Sequence, residues 1–175
     1  DQLRPEVPSL MRRLAALGIK HTVMLTGDRR RAAMTMAARA GIGAVRADLL
    51  PADKVAAIGE LRRQYGSLLM VGDGINDAPA LAAATVGIAM GAHGPAAAAE
   101  AADVVLLVDD VSRVADAIEI SRRTRRVALE SIGVGLGVSF ALMVVASFGL
   151  ITPALGAVMQ EALDAAVILN ALRAR

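Results

Sequence analysis

Residues 71–80 read Val-Gly-Asp-Gly-Ile-Asn-Asp-Ala-Pro-Ala, and this stretch gives the clearest indication of the fold of the first part of the chain. The apolar run 68–71 leads into it and predicts a short buried strand. Gly72 and Gly74 allow the backbone to turn tightly after that strand, and Pro79 is typical of the first turn of a helix. The stretch therefore predicts a strand, a polar loop and a helix, which together are the repeating unit of an α/β fold.

The polar side chains of this loop are two carboxylates and one amide, those of Asp73, Asp77 and Asn76. They follow the carboxyl end of a strand, which is the edge at which parallel sheets bind ligands. Two carboxylates this close in sequence repel each other unless a cation lies between them, and hard oxygen ligands suit Mg²⁺. The loop is therefore a candidate magnesium site. The alternative interpretation is an ordinary turn built from Asp, Gly and Asn.

A second polar loop, Leu25-Thr-Gly-Asp28, also follows an apolar run and precedes a helical stretch. The Thr26 hydroxyl and the amides of the loop, which includes Gly27 and Asp28, would lie at a helix N-terminus. Free N–H groups and the helix dipole favour a phosphate there. Alone, such a string is a common turn.

Lys54 is the third candidate, in the string Pro51-Ala-Asp-Lys at the start of a predicted helix. Its ammonium group could neutralise a phosphoryl group as a compact point charge. Taken alone, it would more commonly be a solvated surface lysine. The order of the three candidates strengthens the functional interpretation of each. A Thr follows one strand, a Lys begins a later helix, and paired Asp residues follow the next strand.

Residues 1–121 alternate short aliphatic or β-branched runs with alanine-rich helical stretches. This order predicts βαβ units on a parallel sheet, in one domain. Glycines close three of the helices as left-handed caps; they are Gly18, Gly41 and Gly66. The predicted strands are 21–25, 68–71, 86–90 and 104–108.

The character of the sequence changes near 122–126, and residues 122–175 are predicted to form a membrane hairpin. Ile132 to Ile151 are twenty residues without a charge, which is long enough for a helix to cross a lipid bilayer. The first span is placed at about 130–151. The alternative is a helical hairpin packed inside a soluble protein.

Thr152-Pro153 predicts the turn of the hairpin, and a second span follows at about 154–172. Arginines flank the two spans at the ends away from this turn. By the positive-inside rule, both ends and the first domain are expected to face the cytoplasm. The sequence thus predicts a multi-pass protein of the cell membrane.

Composition narrows the classes of function. The chain has 19 basic and 17 acidic residues, a net charge of +2 and 2% aromatic residues, so it lacks the stacking surface of a nucleic-acid-binding protein. It has no cysteine, which excludes a disulfide framework or a thiolate metal site. It begins at Asp1 without an initiator Met, as an internal part of a longer chain would.

The strings LTGD, PADK and VGDGINDAPAL, in this order, resemble the second, third and fourth motifs of the haloacid-dehalogenase superfamily. Together with VGIAMG at 86–91, they are similar to the phosphorylation domain of P-type ATPases. The two spans and the ending LNALR at 169–173 resemble the heavy-metal-translocating branch. The resemblance implies the second half of a phosphorylation domain, with a partial haloacid-dehalogenase-like Rossmannoid sheet, followed by the last two transmembrane helices.

The resemblance also implies a role for each polar loop. Thr26 and Lys54 would contact an aspartyl phosphate, and Asp73 would hold Mg²⁺. Asn76 would orient the phosphate or the attacking water, and Asp77 would complete the metal shell. ATP would be the substrate, and a heavy-metal cation would be the cargo.

The nucleophile of that family is the Asp of a DKTGT string, and this sequence contains no such string. We therefore expect the chain alone to be inactive and to need the N-terminal part of the pump or an equivalent partner chain. Two alternatives remain open. One is a truncated, non-catalytic membrane subunit; the other is a membrane-tethered dehalogenase-type phosphatase, which would need a DxD motif on its first strand.

Gln160, Glu161 and Asp164 fall inside the second predicted span. Charged groups at bilayer depth are costly and mark an ion path or a partner. By the resemblance, Gln160 falls where zinc-type pumps carry Asp and cobalt-type pumps His, and Glu161 falls on the Glu of the latter's HEG motif. The oxygen-rich set suits a divalent cation. The alternative is that these groups bond to neighbouring helices.

Overall fold

The computed structural model describes residues 3–73, 77–91 and 100–174. For residue 174 only the backbone is described. Asn76, a predicted site residue, therefore lies outside the described residues. The chain divides into two compact units, Asp1–Asp116 and Ala117–Arg175, which are described separately below.

The first unit alternates helices and short parallel strands. Two strands, β1 and β2, form one sheet, and three strands in the order β3-β4-β5 form another. The strand pairs β1–β2, β3–β4 and β4–β5 are parallel, which confirms the predicted α/β class. In chain order the elements are α1 (Val7–Ala16), β1 (Val23–Leu25), α2 (Arg30–Ala40), β2 (Ala44–Arg46), α3 (Pro51–Tyr65), β3 (Leu69–Gly72), α4 (Ala78–Ala83), β4 (Val86–Met90) and β5 (Val104–Leu106).

The strands are shorter than predicted at two places. The first begins at Val23 rather than at His21, whose ring instead stacks on Tyr65 with 4.4 Å between centroids. The last ends at Leu106, and Leu107 and Val108 beyond it are exposed. Apolar character alone extended these strands too far, because the run continues where sheet pairing has ended.

Two of the predicted glycine caps differ in detail. Gly41 ends α2 in the left-handed conformation, with φ 76° and ψ 28°, as predicted. Gly66 ends α3 with φ 80° but ψ −125°, which lies outside the left-handed helical region. The positive φ at both sites suits glycine, but of these two only Gly41 forms the predicted kind of cap. Gly18, the third predicted cap, also has a positive φ, of 76°, after α1.

The core of this unit lies between the three-stranded sheet and helices α3 and α4. Leu81 and Ile88 are each only 1% exposed. Leu25 of β1 packs against the same cluster, so β1 contributes to this core although, within the described residues, its one strand partner is β2. The buried members of the cluster are Ile58, Met70, Ala80, Leu81 and Ala89.

The second unit is a hairpin of two long helices. Helix α5 (Arg113–Ser147) begins in the first unit and continues through the second, and α6 (Pro153–Ala171) is followed by a 3₁₀ turn at Leu172–Ala174. The predicted turn is present: Thr152 caps α6 by accepting a 3.4 Å hydrogen bond from the Leu155 amide. Since α5 runs without a break past residue 121, the predicted domain boundary there stays a prediction.

Both helices are long and apolar enough to cross a membrane. Each contains an apolar stretch of membrane-spanning length, of which 6% is buried in the first helix and none in the second. The side chains of Leu136 and Val158, for example, are 68% and 66% exposed. A soluble core helix of this composition would bury its apolar face, so the hairpin has the surface expected of a lipid-facing segment.

Candidate functional site

The centre of the candidate site is an ion pair between α3 and the loop after β3. Lys54 Nζ lies 2.6 Å from Asp77 Oδ1, and the side chains of both residues are 16% exposed. The opposite charges of the two groups compensate each other at a place where both side chains are largely withdrawn from water. The structure therefore brings together two predicted site residues that are 23 positions apart in the sequence.

Gly72 makes this pair possible. A Cβ atom at position 72 would lie 3.0 Å from Asp77 Oδ2 and 3.1 Å from Asp77 Cβ. The Asp77 side chain thus folds back over the end of β3, where any larger residue would displace it. We predicted Gly72 as a turn residue, but its role in the structure is to leave room for the carboxylate.

Asp73 is the residue directly after β3, and its side chain is exposed. Asp77 lies at the same strand end, since its Oδ2 would be 3.0 Å from a Cβ atom on Gly72, so two carboxylates border the end of β3. Within residues 3–73, 77–91 and 100–174, no group of three or more His, Asp or Glu side chains could hold a metal ion. Mg²⁺ does not require such a group, because it commonly binds one or two carboxylates and completes its shell with water and phosphate oxygens.

The loop of Thr26, Gly27 and Asp28 is held by the segment before α3. The Leu49 amide donates to the Thr26 carbonyl (3.1 Å), and a Cβ atom on Gly27 would lie 3.2 Å from the Leu49 carbonyl oxygen. Within the loop, the Asp28 amide donates to Thr26 Oγ1 at 3.1 Å. The Thr26 hydroxyl therefore has a fixed position at the end of β1.

The start of α3 links this loop to the ion pair. Pro51 occupies the first turn of α3, and the Asp53 carboxylate accepts a 3.0 Å hydrogen bond from the Leu50 amide. Because Leu49 contacts the Thr26 loop and Lys54 reaches Asp77, one short segment connects the three predicted loops. Proline and the acidic cap fix the direction in which α3 presents Lys54.

A second polar cluster lies between the two helices of the hairpin. Ser139 Oγ donates to Gln160 Oε1 at 3.1 Å, and Gln160 Nε2 donates to Asp164 Oδ1 at 3.0 Å. Gln160 and Asp164, which are four residues apart on α6, are thus in contact. Glu161 is exposed and has no hydrogen bond or ion pair within the described residues.

Sequence reasoning missed several residues that make contacts in the structure, two ion pairs in the first unit and Ser139 in the second. Arg13 Nη2 lies 2.7 Å from Asp116 Oδ1 and ties α1 to the first turn of α5. Arg4 pairs with Asp109 at 2.7 Å. Ser139 was also missed. No sequence signal identifies these partners, because the ion pairs join positions about a hundred residues apart.

Comparison with known proteins gives consistent matches. The family described as haloacid dehalogenase-like hydrolase matches residues 1–85. The chain is 44% identical over 155 residues to a cadmium, zinc and cobalt-transporting ATPase of Bacillus subtilis (strain 168), covering 87% of this chain and 22% of that protein. It is 42% identical over 173 residues to a manganese-exporting P-type ATPase of Mycobacterium tuberculosis (strain ATCC 25618 / H37Rv), covering 99% and 24%.

A solved structure agrees with these relatives. The crystal structure of a zinc-transporting PIB-type ATPase in its E2·Pi state matches with a TM-score of 0.92 and 38% identity, over 99% of this chain and 28% of that chain. This chain therefore spans about a quarter of the length of the proteins it matches.

Fold and hairpin together define a class of protein: a haloacid-dehalogenase-like α/β domain joined to membrane helices. Within that class, the homologues of the chain are heavy-metal P-type ATPases, and the chain matches their C-terminal part. The resemblance that the three polar loops indicated is confirmed, and so is the expected membrane character.

Proposed function

We propose that this chain is part of an ATP-driven pump that moves a divalent heavy-metal cation across the cell membrane through an aspartyl-phosphate intermediate. The observation that carries the proposal is the Lys54–Asp77 pair, held against Gly72 at the end of β3 and linked to the Thr26 loop. The relatives named as transporters of cadmium, zinc, cobalt or manganese support a divalent cargo.

In this proposal, the residues of the chain position and neutralise a phosphoryl group. Lys54 supplies a positive charge beside it, and Thr26 offers its hydroxyl as a hydrogen-bond donor, since the Asp28 amide holds the hydroxyl oxygen in place. Asp77 holds Lys54 in place before the phosphoryl group arrives. Asn76 would orient the phosphate or the water that attacks it.

Mg²⁺ fits the carboxylates at the end of β3. Asp73 is free to bind a cation, since its exposed side chain has no hydrogen bond or ion pair within the described residues. Asp77 would complete the shell with Oδ2, because its Oδ1 is engaged by Lys54. When bound, the ion would neutralise charge on the phosphoryl oxygens.

The nucleophile and the nucleotide site would come from sequence that this chain does not contain. The two sheets support a missing strand. Within the described residues, β1 pairs with β2 alone and β3 with β4 alone, so each has one free edge. Leu25 of β1 nevertheless packs on the core below β3, so the two free edges belong to one core. A further parallel strand between β1 and β3 would place its carboxyl end beside Thr26 and Asp73. The DKTGT string of the family would lie there.

The cluster of Ser139, Gln160 and Asp164, with Glu161 beside it, is our proposed part of the cation path. Its oxygen donors suit a divalent ion, and such groups at bilayer depth are rarely without function. In the parent pump, we expect Glu161→Ala and Asp164→Ala to weaken the metal dependence of ATP hydrolysis at least tenfold in metal concentration. Ser147→Ala, a polar change near the hairpin turn, is the control. Unchanged metal dependence in both acidic variants would contradict this assignment.

We also propose that the first unit and both ends of the hairpin face the cytoplasm, since arginines flank the spans there. The cysteine-free sequence gives a direct test. Ser121→Cys should react with an impermeant thiol reagent only from the cytoplasmic side, and Phe148→Cys only from the other. The reverse labelling pattern would show that the orientation is inverted.

The decisive experiment for the catalytic assignment uses the parent pump. Lys54→Ala and Asp73→Asn should each lower metal-stimulated ATP hydrolysis about a hundredfold or more, the range found when a preorganised charge is removed from a reaction centre. Arg63→Ala, which removes another cation from α3, should keep activity near that of the unchanged pump. Activity equal to the control in both site variants would refute the assignment.

The isolated chain distinguishes the alternatives. We expect no ATP hydrolysis and no acid-stable phosphoenzyme from the 175 residues alone, because DKTGT is absent. Hydrolysis of p-nitrophenyl phosphate that is abolished by Asp73→Asn would favour the phosphatase instead. A non-catalytic subunit would be indicated if the native protein has a mass of 18.0 kDa and co-purifies with a partner.

A further inference from the structure

Four arginines lie together on α5, just before its uncharged stretch: Arg122, Arg123, Arg125 and Arg126. All four are exposed. Positions 122, 125 and 126 are spaced i, i+3 and i+4 and share one helix face, with 123 at its border. The hairpin therefore carries a concentrated positive surface at one end of its lipid-facing part.

A chain of hydrogen bonds fixes this end of the hairpin. Arg123 Nη2 donates to the Arg173 carbonyl at 2.9 Å, and Arg173 Nη1 donates to Asn170 Oδ1 at 3.2 Å. Asn170 Nδ2 donates to Ser131 Oγ at 2.8 Å, and Ser131 is only 5% exposed. The Arg123 guanidinium is therefore engaged in holding α5 to the segment after α6, and the Arg173 guanidinium in orienting Asn170, which bonds to Ser131 of α5.

Arg125 and Arg126 differ from these two. Neither forms a hydrogen bond or an ion pair with any part of the chain that the structure describes. Glu130 lies one turn beyond Arg126 on the same face, but the two side chains do not pair. Each free guanidinium keeps a planar set of donors that matches a phosphate group.

Their distance from the apolar stretch fits the depth of lipid headgroups. Arg126 precedes Ile132 by six residues, which is about 9 Å along a helix. The polar headgroup region extends about 5–8 Å beyond the hydrocarbon core on each side, and arginine side chains are long enough to span the remainder. Clusters of four or more Lys or Arg next to a membrane helix are typical of binding to anionic lipids.

We propose that Arg125 and Arg126 bind the phosphate groups of anionic phospholipid headgroups, while Arg123 and Arg173 hold the hairpin in the conformation that presents them. The ligand class is a phosphodiester held in a membrane, such as phosphatidylglycerol. Glu130 limits the affinity, because its carboxylate repels a phosphate on the same helix face. The proposal requires membrane insertion but does not depend on pumping.

The test measures lipid selectivity of the full chain in phosphatidylcholine vesicles with spin-labelled lipids. Electron paramagnetic resonance gives the association constant of labelled phosphatidylglycerol relative to labelled phosphatidylcholine. We expect a preference of about fivefold or more for phosphatidylglycerol, since each arginine near the surface contributes about that factor. Arg125→Gln/Arg126→Gln should bring the ratio close to one.

The matched control is Arg12→Gln/Arg39→Gln, which removes the same charge from exposed positions of the first unit and should leave the preference unchanged. Should the double variant of α5 misfold by circular dichroism, the unchanged chain in 1 M NaCl still decides, because screening should then abolish the preference. A preference that persists in the folded double variant or in 1 M NaCl would overturn the proposal. Loss of preference in inorganic phosphate, but not in chloride of equal ionic strength, would also overturn it in favour of a free-phosphate site.

Discussion

The α/β unit and the helical hairpin use the same apolar residue types in opposite ways. In the first unit, Leu81 and Ile88 are each 1% exposed, and polar contacts lie at the rim of the core. In the hairpin, Leu136 and Phe140 are 68% and 66% exposed, and no residue of α6 is buried. The first unit carries its own solvent-excluded interior, whereas the hairpin depends on an apolar environment around it.

The two regions consequently differ in what holds them together. Burial stabilises the α/β unit, so its ion pair at the site can be fixed by packing around Gly72. In lipid there is no hydrophobic force between helices, and the hairpin relies on close packing and hydrogen bonds such as Ser131–Asn170 and Ser139–Gln160. Close packing occurs at Gly135, where a Cβ atom would lie 3.3 Å from Val167 Cγ2.

The largest expected difference in folding stability follows from replacing one leucine by alanine in each region. Leu81→Ala should destabilise the first unit by about 3 kcal/mol, within the range for buried leucines. Leu136→Ala should change the stability of the hairpin in detergent by less than about 0.5 kcal/mol. Segment-resolved hydrogen exchange of the full chain measures both. Equal effects in the two regions would show that the hairpin buries Leu136 against protein.

Gly72→Ala should have the next largest effect, about 1–3 kcal/mol, because the new Cβ would collide with the Asp77 side chain. In the parent pump, the same change should also lower activity, since Asp77 could no longer hold Lys54. Gly59→Ala on α3, where an added Cβ meets nothing within 4 Å, is the control. Urea unfolding measures the stability of the variants, and ATP hydrolysis measures their activity. If Gly72→Ala keeps both the stability and the activity of the unchanged protein, the Asp77 side chain moves aside without cost.

Asn170→Ala should weaken the hairpin by about 0.6 kcal/mol, the usual contribution of a hydrogen bond between membrane helices. It also leaves the buried Ser131 hydroxyl without its partner. Steric trapping or forced unfolding in a bilayer would measure the change. A double-mutant cycle with Ser131→Ala separates the bond itself from packing losses, and a coupling energy of zero would contradict the proposed bond.

The smallest effect concerns acid stability of the first unit. Hydrogen bonds from the Ser112 side chain and then its backbone amide lower the pKa of Asp110, and Arg113 adds to this. A lowered folded pKa gives stability at pH above the unfolded value of about 3.9, which is lost as pH falls through the folded pKa. With Asp110→Asn, the free energy of unfolding should therefore fall slightly less steeply as the pH drops below about 4. An unchanged limb would show that Asp110 titrates normally.

Much of the α/β unit and its site could be predicted because the evidence is local. A short apolar run followed by Gly, Asp and Asn specifies a strand end, and Thr152-Pro153 specifies a helix start. Strand ends were less predictable, as at Leu107 and Val108, since pairing rather than composition ends a strand. The ion pair of Arg13 with Asp116 was not predictable at all, because nothing in either segment marks the other.

The sequence alone determined the class of fold, the two apolar spans and the three polar loops, because each is written in consecutive residues whose spacing has a direct physical meaning. Three-dimensional packing alone brings Lys54 to Asp77 over Gly72 and Ser139 to Gln160. It also joins Arg123 to the Arg173 carbonyl, while Arg125 and Arg126 have no partner among the described residues. The physical reason is that a partner depends on distance in space, and packing sets this distance among elements that are remote in the chain.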